Sequence, residues 1–175
     1  MKIKDKEFQI FIDKKAIKKR IKEVAAVINE DYKGKTPLFL AILNGSFMFA
    51  SDLMKQVRLD SEITFIKVSS YKATQSTGKI KELLGLQENI FKRDIIILED
   101  IVDSGQTMTH ITEALKTLGP SSIEIGTLLF KPEALVTDLH IKYIGFEIPN
   151  NFVVGFGLDY DGYGRNLKDI YRLKD

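Results

Sequence analysis

The chain contains no cysteine. A disulfide framework, a thiolate metal centre and a cysteine nucleophile are thereby excluded. Its two histidines, His110 and His140, lie at no spacing that suits a metal or a catalytic triad. No apolar run comes near the ~20 residues that a membrane-spanning helix needs. Met1 to Glu7 alternates lysine with acid and has no apolar core. The pattern of a signal peptide is missing, and a cytoplasmic protein is expected. Charge of one sign is missing too. Against 26 Lys and Arg stand 24 Asp and Glu, and the resulting +2 says little about partners. There are no repeats, low-complexity segments or linkers.

Two phosphate-binding signatures are also absent. A Walker loop needs a lysine before its Ser or Thr and a glycine upstream; Gly105-Gln106-Thr107 has neither. The dinucleotide fingerprint G-x-G-x-x-G does not occur.

What is present fits one domain. A length of 175 residues can bury a good core, and 44% hydrophobic with 29% charged residues is ordinary for a soluble globular protein. The chain is organised around Asp94 to Thr109. Ile95, Ile96, Ile97 and Leu98 form a short β-branched run that suits a strand buried on both faces of a parallel sheet. The strand is expected to stop at two adjacent carboxylates, Glu99 and Asp100. Asp103, Ser104, Gly105, Gln106 and Thr107 then read as a turn. Ile111, Ala114, Leu115 and Leu118 follow at helical spacing, and Gly119-Pro120 stops the helix.

This stretch offers two opposite chemistries side by side. A helix start presents free N–H groups and the positive end of a dipole, which suits a phosphate. Carboxylates at a strand end can hold hydroxyls or a divalent metal. A sugar phosphate would use both. Capping of the helix would account for one carboxylate but not for three in five positions.

The remaining elements alternate. Phe8 to Ile12 reads as a strand or extended arm. Asp13 reads as an N-cap, before a helix that places Ile17, Ile21, Val24 and Ile28 on one face and ends at Gly34. Lys14, Lys15, Lys18, Lys19 and Lys22 on that helix read as a solvated face, so nucleic acid is not an expected partner. Leu38 to Leu43 is a second buried strand. It runs into Asn44-Gly45-Ser46 and a helix from about Phe47 to Val57, a second place for backbone N–H groups to meet an anion. Glu62 to Val68 is a strand, and the polar residues after it form a long loop. Such loops are usually lids or disordered segments. Ile123 to Leu129 and Tyr143 to Glu147 are further strands. Lys131 sits at the carboxyl end of one of them, where α/β proteins bind ligands. Pro149-Asn150-Asn151 is a turn, Asp159 is either a turn residue or a metal ligand, and Asp169 to Asp175 is expected to pack as a tail.

The run Ile96 to Thr107 resembles the phosphoribosyl-pyrophosphate signature of the type I phosphoribosyltransferases, and nearly the whole chain resembles their hypoxanthine-guanine branch. The resemblance implies an α/β domain over 1–175: a mainly parallel central sheet flanked by helices, with a small hood over the carboxyl edge. The hood would come from the N-terminal arm and roughly 131–175. A mobile active-site loop would lie at about 70–85 and include Ser70 and Tyr71. Transfer of a 5-phosphoribosyl group from phosphoribosyl pyrophosphate to hypoxanthine or guanine is implied, with release of pyrophosphate. A xanthine-accepting enzyme and a regulator of the same fold that binds RNA are the alternatives.

The roles implied by the resemblance are as follows. Ser104, Gly105, Gln106 and Thr107 cradle the 5′-phosphate. Glu99 and Asp100 hold the ribose hydroxyls, directly or near Mg2+. Asp103 is the candidate general base. Leu43, Asn44 and Gly45 bind pyrophosphate through the backbone, and the Leu43–Asn44 peptide can be cis. Some relatives carry lysine at the position of Asn44. Lys131 selects a 6-oxopurine base, since an ammonium donates and cannot accept. Phe152 stacks on that base and the Val153 carbonyl accepts from it. Asp159 is a ligand for a second Mg2+, and Arg165 meets the pyrophosphate. A homodimer or homotetramer is implied by analogy.

Overall fold

The computed structural model describes residues 1–68 and 86–174. In chain order the elements are β1 (Lys2–Ile3), β2 (Lys6–Ile12), α1 (Lys14–Asp31), β3 (Leu38–Leu43), α2 (Phe47–Met54), β4 (Glu62–Lys67) and β5 (Asp94–Val102). Then come α3 (Gln106–Lys116), β6 (Ser122–Phe130), a 3-10 turn (Pro132–Ala134), β7 (Tyr143–Glu147), β8 (Val153–Val154) and β9 (Ile170–Leu173). Five strands in the order β4-β3-β5-β6-β7 form one sheet, and all their pairings are parallel. A second sheet, β1-β2-β9-β8, is antiparallel and joins the two ends of the described chain.

The apolar runs explain the layering. Successive strand residues point to opposite faces. Phe39, Ala41, Ile96 and Leu98 pack with Ile17, Ile21 and Ile28 of α1 and Phe49 and Leu53 of α2. Leu38, Leu40, Ile42, Ile95 and Ile97 pack with Met108, Ile111 and Leu115 of α3. Both faces of β3 and β5 are therefore covered, which is why their sequences lack alternation. Truncating a core residue such as Ile96 to alanine would cost about 2–5 kcal/mol.

At the start of α1 the Asp13 carboxylate accepts from the backbone N–H groups of Lys15 (2.7 Å) and Ala16 (3.0 Å). Those bonds hold its pKa below the usual value. The apolar stripe of α1 is buried, while Lys14, Lys15, Lys18, Lys19 and Lys22 are exposed.

Five expectations need correction. β5 does not stop at Leu98 but runs through Glu99 and Asp100 to Val102, because β6 keeps pairing with it there, Val102 opposite Phe130. α2 ends at Met54, not near Val57, and its carbonyls are taken up by Lys55, Gln56 and Val57 in a closing turn. Residues 170–173 are no tail: β9 pairs with β2 on one side and β8 on the other. The hood begins later than about 131, since β7 belongs to the parallel sheet and the second sheet takes its strands from 2–12 and 153–173. Leu118, read as part of the helix stripe, lies beyond α3 and is exposed.

Candidate active site

Parallel pairing brings the carboxyl ends of β3, β5 and β6 to one edge of the sheet. Two strand-to-helix corners meet there. At the first, Leu43 and Asn44 are joined by a cis peptide, and Asn44-Gly45-Ser46 leads directly into α2. Ser46 is fully buried, and its hydroxyl donates to the Ile42 carbonyl. Gly45 is required by close approach, because a Cβ there would overlap the carboxylate of Asp100.

The second corner is β5 to α3. Pairing with β3 ends at Leu98, opposite Ala41, and beyond it Glu99 and Asp100 face the corner. Glu99 continues the face of Ile95 and Ile97, and Asp100 continues that of Ile96 and Leu98. Asp100 thus points to the α2 side, where Gly45 receives it. Glu99 is 9% exposed. Burial, then the neighbouring Asp100 charge, pushes its carboxyl well above the ordinary range. It accepts from the Asp100 N–H at 3.1 Å.

Asp103, exposed, and Ser104, half-buried, follow as a bend, and Gly105 turns the chain into α3 with φ +80°. That left-handed conformation favours glycine. A side chain there would also meet Leu135 and Thr137, which pack behind the turn. The Ser104 hydroxyl accepts from the Gln106 N–H at 3.4 Å. The N–H groups of Gly105, Gln106 and Thr107 thus lie at the first turn of an eleven-residue helix.

Lys131 completes the edge. Its N–H donates to the Val102 carbonyl at 3.0 Å, which extends the β5–β6 pairing by one bond. The residue is 7% exposed. Its ammonium lies 3.2 Å from an Asp103 carboxylate oxygen and 3.3 Å from Asn150 Oδ1. Among the described residues these are its two side-chain acceptors, so one N–H is left for a ligand. The sequence did not single out Asn150. The polar pair Asn150-Asn151 after Pro149 was its only signal.

The segment after β7 closes the site from the other side. Phe152 is 44% exposed. Its ring lies 6.3 Å from that of Phe8 and 5.7 Å from that of Tyr160, edge to face with the latter. Val153 is buried in β8. A Cβ at Gly157 would overlap the Gly45 carbonyl, so the turn leading to Asp159 rests on the first corner. Asp159 accepts from the Gly162 N–H (2.6 Å) and from Arg165 (2.6 Å). Arg165 also donates to the Gly157 carbonyl at 2.7 Å.

Glu99, Asp100, Asp103, Lys131 and the Leu43–Gly45 corner are therefore brought together. Asp159 and Arg165 form a pair of their own beside them. Ser70, Tyr71 and the loop at about 70–85 lie outside the described residues. No group of three or more ligating side chains that could hold a metal occurs among the described residues. No described helix is long and apolar enough to cross a membrane.

The phosphoribosyl transferase domain model matches residues 10–161. The hypoxanthine-guanine phosphoribosyltransferase of Streptococcus mutans serotype c is 41% identical over 157 residues, covering 89% of this chain and 87% of that protein. That of Staphylococcus epidermidis is 42% identical over 166 residues, with 94% and 93% covered. Among solved structures, a hypoxanthine phosphoribosyltransferase from Staphylococcus aureus is 42% identical and superposes with a TM-score of 0.86 over 95% of this chain and 91% of that one. The hypoxanthine phosphoribosyl transferase of Trypanosoma cruzi, studied for its oligomeric state, gives 0.89 at 34% identity, with 99% and 95% covered. Fold, site and relatives agree, and the chain belongs to the phosphoribosyl transferase domain family, in its hypoxanthine-guanine phosphoribosyltransferase branch.

Proposed function

We propose that this protein transfers the 5-phosphoribosyl group from phosphoribosyl pyrophosphate to N9 of hypoxanthine or guanine, giving IMP or GMP and pyrophosphate in purine salvage. The observation that carries the base assignment is the buried Lys131 at the end of β6, held by Asp103 and Asn150 with one N–H to spare. A donor-only cation reads a 6-oxo group and has nothing to offer a 6-amino group.

The roles follow from the chemistry at the edge. Backbone N–H groups and hydroxyls from Ser104 to Thr107 bind the 5′-phosphate. Glu99 and Asp100 accept from the ribose hydroxyls. Asp103 takes the proton from purine N7 as N9 attacks the anomeric carbon. Arg165 and the backbone of Leu43 to Gly45 receive the departing pyrophosphate. Phe152 stacks on the base, and the Val153 carbonyl accepts from it.

A magnesium ion fits the donor set. Glu99 and Asp100 are hard oxygen ligands, and magnesium is typically held by one or two carboxylates with water and substrate phosphates rather than by a protein cage. Glu99 and Asp100 would hold it, with Asp159 a candidate for a second ion once Arg165 turns to the pyrophosphate. When bound, the ion neutralises charge on the leaving group.

A homo-oligomer, dimer or tetramer, in the cytoplasm completes the reading. Phe47, Ile63 and Phe65 are 41%, 36% and 43% exposed and line one groove with Met54, between α2 and the edge strand β4. Apolar patches of this kind mark interaction surfaces. Light scattering on the purified chain reads this directly, and a monomer at micromolar concentration would refute it.

Product formation from phosphoribosyl pyrophosphate and magnesium, with hypoxanthine, guanine, xanthine and adenine in parallel, tests the function. Turnover of the first two with little adenine product is expected, and the xanthine reaction sets the breadth of the pocket. If no base reacts while nucleotides and RNA still bind, the enzyme reading fails.

A further inference from the structure

We propose that Lys6 is a positioning residue for the purine base, holding the aromatic platform on which the base stacks. The inference rests on Phe152 being the stacking ring. Phe152 is nearly half exposed, as a ring with a free face must be. A ring so placed has to be held from its other sides. Phe8, 1% exposed, lies beneath it and beneath Tyr160, with centroids 6.3 Å and 6.1 Å away. Tyr160 meets it edge to face at 85°. The third contact is a cation. The Lys6 ammonium lies 4.8 Å from the Tyr160 centroid and 5.5 Å from the Phe152 centroid. Both distances fall within the ~6 Å at which a cation is drawn to a ring face.

The chain is built to bring it there. Lys6 and Phe8 are two residues apart on β2 and so share a face. The neighbours of Lys6 hold the same segment by other means. Asp5 accepts from the Tyr160 hydroxyl at 2.8 Å, and Lys4 pairs with Asp161. Lys4 and Asp161 both stand in the left-handed region, φ +51° each, so two tight turns meet at that ion pair. Lys4, Asp5 and Lys6 each grip residues 152–161 by a different interaction. Only Lys6 touches both rings.

Loss of the cation frees the rings without moving any group at the reacting atoms. Base affinity falls, while turnover at saturating base and the KM for phosphoribosyl pyrophosphate stay as they are. Lys6→Met keeps the methylene stem and removes the charge; Lys6→Gln is a second neutral variant. Each is expected to raise the KM for hypoxanthine roughly three- to fivefold, and Lys6→Arg is expected to restore it. The test is completed in a Phe152→Leu background. There the ring is gone, and Lys6→Met should have no further effect on KM. An equal effect in both backgrounds would make Lys6 an ordinary structural residue and overturn the inference. So would a KM unchanged by both neutral variants while Phe152→Leu raises it. If Phe152→Leu itself leaves the KM unchanged, the stacking assignment fails and Lys6 falls with it.

Discussion

The two corners at the sheet edge are built alike and furnished differently. Both run from a largely buried strand through a tight turn into a helix, and the two strands are neighbours in parallel register. The β3–α2 corner carries no ionisable side chain between Leu43 and Ser46. It is shaped by a cis peptide, a glycine pressed on a carboxylate and a serine turned inward. The β5–α3 corner carries Glu99, Asp100 and Asp103 and turns on a left-handed glycine. One corner offers main-chain groups and no charge; the other offers N–H groups and negative charge. They meet where Asp100 lies against Gly45. A ligand with phosphate at two ends and hydroxyls between them uses both kinds of surface at once.

The largest effect is expected from removing the chemistry of the charged corner while keeping its shape. Asp103→Asn is isosteric and removes the base. Turnover should fall by about 10²–10⁴-fold, the range of a positioned general base. The KM for phosphoribosyl pyrophosphate should change little. Steady-state kinetics separate the two, and an equal loss in both would move Asp103 into a binding role. The change also reaches Lys131, whose ammonium would keep Asn150 but lose its carboxylate.

Gly45→Ala strikes the bare corner instead. The added Cβ would overlap the Asp100 carboxylate, so one corner must shift off the other. A displacement of about 1 Å at a site of this kind costs roughly 10²-fold in kcat/KM. Circular dichroism should show the fold intact, since the glycine is not held at positive φ. Activity equal to the wild type would mean that the two corners work independently.

Glu99→Gln is expected to weaken magnesium-dependent activity yet stabilise the protein without magnesium. The buried Glu99 carboxyl is raised well above its ordinary 4.5. Between that value and the raised one the native state keeps a proton that the unfolded chain releases. Stability contributed at this position therefore falls as pH rises through that window. Glutamine does not titrate. The melting temperatures of the two proteins should be close near pH 4.5 and diverge toward neutral pH, the variant being higher. A chain of this size moves about 2–4 °C per kcal/mol, so thermal melts at several pH values suffice. A difference that is flat with pH would show that Glu99 is not held off its charged form.

The contrast between the corners also sets how much could be read in advance. The charged corner was legible because its chemistry is in side chains: three carboxylates, a serine, a glycine and a threonine in nine positions. Its length was misjudged, since Glu99 and Asp100 look like a strand end although β6 keeps them paired. The bare corner was half legible: strand, glycine turn and helix suggested backbone N–H groups for an anion, and only the resemblance supplied pyrophosphate. Asn44-Gly45-Ser46 carries no residue that must bind an anion, and the need for Gly45 lies in Asp100, 55 positions away. Ile170 to Leu173 reads as a tail because it is short and β2, one of its two partners, stands at the other end of the chain. Asn150 was missed for a similar reason. Its role depends on Lys131 reaching across 19 positions, and no local pattern marks that.

The smallest effect sharpens the comparison most. Asn44 is exposed and follows the cis peptide directly. If the bare corner works through its backbone, Asn44→Ala should leave the KM for phosphoribosyl pyrophosphate within about twofold of the wild type. A single exposed polar side chain is worth a fraction of a kcal/mol. Asn44→Lys adds a cation at this corner. It should lower that KM severalfold at low salt, and the gain should fade as ionic strength rises and the Debye length shrinks toward 8 Å. The backbone geometry is common to all three proteins, so turnover should be the same in each. A large loss in Asn44→Ala would show that this corner, too, binds through a side chain, and the two corners would then differ in charge rather than in kind.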